Sequence, residues 1–168
     1  MSDKIETPQA LFEHNLKLLL WTERKLADEV LPELRELVHD EELRRDVEAH
    51  LEETRGHVEN LERVFGLVNL KPEAQESEAV KGLQREHDEG MKLLSRDDEA
   101  LGDVFHAGAI ARTEHAEIAA YKELIELAEQ LGDQAVAVAL YENLEQEEHT
   151  LRKAEQALKR LLREEVQA

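Results

Sequence analysis

In the stretch DVEAHLEETRGHVENLERVF, Asp46 to Phe65, three side chains able to bind a cation fall on one side: His50, Glu53 and His57. They stand three and four residues apart, so on a helix they project from one side. Val47, Leu51, Val58, Leu61 and Phe65 recur beside them at helical spacing, a stripe that must face a core. A glutamate and two histidines carried to the edge of a core are costly unless something pairs with them. Three further segments repeat the feature. Glu23 interrupts the stripe of Phe12, Leu16, Leu19, Leu26, Val30 and Leu34, Glu114 interrupts that of Ala107, Ala111, Ile118 and Leu124, and Glu147 that of Leu140, Leu144, Leu151 and Leu158. Glu117 follows Glu114 by three.

Four or five carboxylates converging in a low-dielectric interior raise one another's pKa. Unrelieved, their desolvation costs on the order of several kcal/mol per ion. Two divalent metal ions would remove the conflict, and oxygen plus imidazole donors suit iron best, with manganese or zinc as alternatives. The expected ligands are Glu23, His50, Glu53, Glu114, Glu117 and Glu147, with Glu53 and either Glu114 or Glu147 bridging, Glu23 and Glu117 terminal, and His50 the imidazole. The usual bundle formula pairs two single glutamates with two Glu-x-x-His motifs. This chain departs from it: His50-x-x-Glu53 runs in reverse, Glu114 is followed by Glu117, and Thr150 stands three residues after Glu147. Tyr121, seven residues after Glu114, lies on the same face and can approach the site as a hydrogen-bond donor, although a core tyrosine is its plainer role.

The elements that position these residues are helices, predicted at about 8–39, 41–65, 78–94, 99–131 and 134–164. Thr7 before Pro8, Asp40, Asp97 and the Gly132-Asp133 pair supply starts and stops, Gly66 reads as a C-terminal glycine, and Pro32 as a kink. Short links make two antiparallel pairs, and the stretch GLVNLKPEAQES is long enough to cross the end of a bundle. The expected fold is all-α, a single ferritin-like antiparallel four-helix bundle over 1–168, with one long crossover carrying a short fifth helix.

Composition narrows the function. With 40 acidic against 21 basic residues and a net charge of -19, the chain has no basic patch for nucleic acid or anionic membrane. It has no cysteine, so thiolate chemistry and disulfides are excluded. Leu16 to Trp21 is too short an apolar run to span a bilayer, the first residues do not resemble a signal peptide, and the cytoplasm is the expected compartment. His39, His87, His106, His115 and His149 are expected at surfaces or boundaries.

Four blocks carry a resemblance: TERKLADEVLPEL from Thr22, HLEETRGHVENLERVF from His50, EHAEIAAY from Glu114 and LYENLEQEE from Leu140. In these blocks and their spacing the chain resembles the YciE/YciF-like bacterial stress proteins. The resemblance implies a ferritin-like bundle with a di-iron-type carboxylate site, often in a homodimer. Its recurrent acidic and histidine positions fall on Glu23, His50, Glu53, Glu114, Glu117, Glu145 and Glu147. His57 replaces a frequent glutamine and would add a ligand or a supporting donor, and Leu20 stands where relatives often have tyrosine. The expected function is a di-metal protein of the stress response that oxidises Fe(II) or reacts with O2 or peroxide. The alternative is an interaction bundle without turnover.

Overall fold

The computed structural model describes residues 4–95 and 98–168. Its helices begin where the sequence offers an acceptor for the free amides of a first turn. Thr7 caps α1 (Pro8–Lys25) through the amide of Ala10 at 3.0 Å, with Pro8 in the first turn, where a missing N–H costs nothing. The same chain continues through a π-helical turn (Leu26–Val30) into α2 (Leu31–Leu37). Asp40 caps α3 (Glu41–Leu67), Ser77 caps α4 (Glu78–Met91), Asp98 caps α5 (Glu99–Gln130) and Asp133 caps α6 (Gln134–Gln167). Asp97, the expected cap of α5, lies outside the described residues.

Three local expectations are revised. Pro32 does not simply kink its helix; the widened turn lies just before it. Proline has no N–H to offer Asp28 four residues back, and its ring would strike that carbonyl, so the backbone opens to an i,i+5 bond from Leu31 to Leu26 instead. Gly66 does not end α3. The helix runs on one residue, and Asn69 takes the left-handed conformation (φ 57) that closes it, while Gly132 (φ 81) closes α5 as expected. Third, the crossover does not pass over the end of the bundle. The amide of Gln75 bonds the carbonyl of Lys17 at 3.1 Å, so the link runs back along α1. It has to: α3 and α5 are parallel, and the chain must return the length of the bundle between them.

The four long helices form a square in which α1 and α6 each pack against both α3 and α5. One core cluster, with Phe12, Leu16, Leu61, Phe65, Leu124 and Leu140, fills one end. The other, with Leu31, Leu43, Val47, Ala111, Ala154 and Leu161, fills the opposite end. Each long helix runs from one cluster to the other, every neighbouring pair is antiparallel, and the described residues form a ferritin-like four-helix bundle with α4 laid on α5. Among the described residues no helix is long and apolar enough to cross a membrane.

The turn into α3 is held from two sides. Asp103 of α5, itself buried, accepts the amides of His39 (3.0 Å) and Asp40 (2.6 Å). Arg160 of α6 donates to Asp40 at 2.6 Å and, with the amide of Leu43, holds its carboxyl below the usual 3.8 despite partial burial. A carboxyl lowered by folding adds stability that is complete above its unfolded pKa and is lost as pH falls through the lower folded value. Asp40→Asn keeps the cap but weakens the ion pair. It should therefore cost about 0.5–1 kcal/mol at neutral pH, after solvent screening. The gap between wild type and variant should close as urea melts are taken below about pH 4. A gap as large at pH 2 as at pH 7 would show that the ion pair is not its source.

Candidate metal centre

Between the two apolar clusters every long helix turns a polar side chain inward. Glu23 and Glu147 are 0 % exposed, and His50, His57, Glu114, Glu117 and Tyr121 are equally shut off from solvent. All seven are candidates in the sequence, His57 as a ligand or a supporting donor. It falls almost in line with His50 two turns away, which puts it at the centre of the site rather than beside it.

The groups meet in two sets that share one member. Glu23, His57 and Glu147 bring one donor atom each within 4.8 Å of one another, and His50, Glu114 and Glu147 do the same. His57 Nδ1 lies 3.1 Å from Glu147 Oε1 and 3.5 Å from Glu23 Oε1, and His50 Nε2 lies 3.1 Å from Glu114 Oε1. Glu147 is the member common to both sets. Glu53, expected to bridge, is half-buried at the margin, where its Oε2 accepts from the Thr150 hydroxyl at 3.2 Å. Glu145 is exposed on the outer face of α6 and takes no part in the cluster. Arg112, the simplest conceivable partner for Glu23, is exposed and lies over Phe105 instead.

Neutral side chains around the cluster fix its members. Tyr121 donates its hydroxyl to Glu23 Oε1 and receives the amide N–H of Asn143 at 2.9 Å. Asn143 also reaches the backbone carbonyl of His57 at 3.3 Å. Gln146 Oε1 sits 2.8 Å from His57 Nε2, so that nitrogen is held as a donor and Nδ1 faces the carboxylates. Asn143 and Gln146 were not foreseen. Their only signal is position, one turn and one residue before Glu147, in a segment crowded with exposed polar residues.

The electrostatics are those of a site short of positive charge. Burial lifts Glu117 well above the ordinary carboxylate range, with Glu147, Glu23 and Glu114 adding repulsion. Burial likewise raises Glu23, Glu114 (to about 7) and Glu147 (to about 6), and raises the Tyr121 phenol. His50 is pushed down by burial and is neutral. Burial would push His57 down too, but hydrogen bonds and charge from Glu147 and Glu23 outweigh it and raise it to about 11. One imidazolium does not balance four buried carboxyls. His57 Nδ1 and Glu147 Oε1 face each other as an ion pair, but six further buried side-chain atoms have neither a hydrogen bond nor an ion-pair contact: Glu23 Oε2, His50 Nδ1, Glu114 Oε2, Glu147 Oε2 and both oxygens of Glu117. Folded proteins rarely tolerate one such atom without a reason. Oxygen and imidazole donors without partners, in two sets joined by one carboxylate, fit a pair of divalent transition-metal ions.

The family model described as "Domain of unknown function (DUF892)" matches residues 7–167. Protein YciF of Escherichia coli (strain K12) is 34% identical over 147 residues, which are 87% of this chain and 87% of YciF. The crystal structure of the E. coli stress protein YciF superposes with a TM-score of 0.87 at 32% identity, over 95% of this chain and 99% of that one. YcfI from Rhodopseudomonas palustris superposes with a TM-score of 0.88 at 30% identity, over 92% of this chain and 97% of that one.

Proposed function

The chain belongs to the family of YciF-like stress proteins, and from that premise and its buried donors we propose that it binds two divalent metal ions, iron by preference, for reaction with O2 or peroxide. The observation that carries this reading is the set of six unpaired donor atoms gathered around the His57–Glu147 pair. Glu23, His57 and Glu147 would hold one ion and His50, Glu114 and Glu147 the other, with Glu117 beside them and Glu53 at the margin. Bound Fe(II) would supply the electrons that reduce the oxidant.

The chain's own residues prepare that chemistry. Gln146 keeps His57 oriented with Nδ1 inward, and the ring can give up its extra proton when a cation replaces it. Tyr121, fixed by Asn143, donates its hydroxyl to Glu23 Oε1 and leaves Oε2 free to ligate. The apolar clusters on either side exclude bulk water and strengthen each electrostatic contact inside.

The test is metal analysis of protein purified without chelators and reloaded anaerobically with Fe(II), followed by an optical spectrum on adding peroxide. About two irons per chain and a new absorption band are expected. Metal at trace level with no spectral change would leave an interaction bundle without turnover as the better account. The proposal takes the chain as a cytoplasmic homodimer. Leu67 and Val138, exposed apolar neighbours on α3 and α6, fit such a contact, and light scattering should give twice the chain mass of 19.3 kDa.

A further inference from the structure

A cavity of about 90 Å³ opens from the surface between α2, α4 and α5 and ends on the buried side chains of His50 and Glu114. Its wall is apolar: Leu26, Leu31 and Leu34 from the first helix and its π-helical turn, Val80 and Leu83 from α4, and Ile110 from α5. We propose that this cavity is the binding pocket for an organic co-reactant of the centre, used beside the O2 or peroxide, and that this co-reactant is a small uncharged molecule with a short hydrocarbon body and one polar end. The assignment of a reactant rests on the metal-centre reading above; the binding of such a molecule does not.

Size, polarity and charge each restrict the occupant. An apolar cavity of about 150 Å³ stays dry and takes benzene, so 90 Å³ suits roughly four heavy atoms, with the open mouth leaving room for about one more. Water gains few hydrogen bonds against these leucines, whereas a hydrocarbon body gains contact along the whole wall. A polar end finds its partners among the few polar side chains of the lining, His50 and Glu114 at the inner end and Gln84 and Thr113 along the wall. An anion would meet Glu114 inside and Glu33 and Asp88 at the mouth, with only Arg112 in its favour. A cation would leave its hydration shell for a wall of leucine.

The fold supports the pocket with elements the bundle itself does not need. The π-helical turn places Leu26 and Val30 in the wall one turn after Glu23, and such turns recur at functional sites. α4 forms the outer wall and is held on α5 by a close fit. His87 Nε2 meets His106 Nδ1 at 3.0 Å, and the Phe105 ring fills the space a side chain on Gly90 would need. His106, expected at a surface, is buried for that reason.

The test uses the full, metal-free chain with methyl-labelled NMR and three probes of one size: n-butanol, butanoate and butylammonium. n-Butanol should shift the methyl signals of Leu31, Leu34, Leu83 and Ile110 and the ring signals of His50, saturating with a Kd on the order of millimolar, as suits so few atoms. Neither ion should shift them at the same concentration. Leu83→Trp, which fills the pocket from half-buried α4, should weaken n-butanol at least tenfold while iron content and melting temperature stay those of the parent. Any of three results would overturn the proposal: no saturable shift, equal binding of either ion, or unchanged binding by Leu83→Trp. Failure to load iron would defeat the metal reading and leave these titrations intact. Full iron loading with no n-butanol binding would defeat the pocket alone.

Discussion

Glu147→Gln is expected to lower bound iron from about two ions per chain to well under one. Glu147 is the one carboxylate shared by both sets of donors, so its loss opens both positions. Glutamine matches glutamate in size but lacks the charge that offsets a divalent ion, and a half-satisfied buried site is worse than none. Glu145→Gln, only two residues away and exposed, should bind the wild-type amount. Elemental analysis after anaerobic loading separates the two. Wild-type iron content in Glu147→Gln would remove the shared carboxylate from the site.

The second large effect runs in opposite directions with and without metal. Both Glu117 oxygens are buried and unpaired, and the group is driven toward its protonated form by burial and by three neighbouring carboxyls. Replacing a frustrated buried charge with a hydrocarbon of similar volume is commonly stabilising by about 1–4 kcal/mol. Glu117→Leu should therefore melt higher than wild type when metal-free, by roughly 2–4 °C per kcal/mol for a chain of this size. Loaded with iron, the order should reverse, because binding stabilises the native state by the logarithm of affinity and the variant would lack a carboxylate beside the two ions. Scanning calorimetry of both proteins in both states measures this. A metal-free variant less stable than wild type would mean that Glu117 already has a structural partner, which would undercut the metal assignment.

Much of this was legible in the chain because the same periodicity encodes both packing and site. Glu23, Glu114 and Glu147 stand out as charges in otherwise apolar stripes, and Thr7, Asp40 and Asp133 mark helix starts by side-chain chemistry alone. The misplacement on α3 has a geometric cause. At 100° per residue, His57 is rotated only about 20° from His50, whereas Glu53 is rotated about 60°. The inward line is therefore His50, Thr54 and His57, and Glu53 falls at the border with α6. The i,i+3 spacing that favoured Glu53 reports neighbours along a helix, not which of them faces the axis. Gln146 and Asn143 were invisible for another reason: their roles depend on the rotation of α6 against α3 and α5, which no local pattern specifies. The π-helical turn had only Pro32 as its signal, and a proline alone does not say how the backbone will relieve the clash.

The crossover along α1 divides the donors between two helical hairpins. Glu23, His50 and His57 belong to the first, and Glu114, Glu117 and Glu147 to the second. Each hairpin is joined by a short turn and can close quickly from local contacts, but neither carries a complete site. Glu114, Glu117 and Glu147 meet within the second hairpin and Glu23 joins them only when the hairpins dock, so its repulsion by them opposes the last step of folding and favours the first step of unfolding. A cation bridging the hairpins would act at that juncture. It would slow the separation of the two halves and leave the rate at which each half forms nearly untouched.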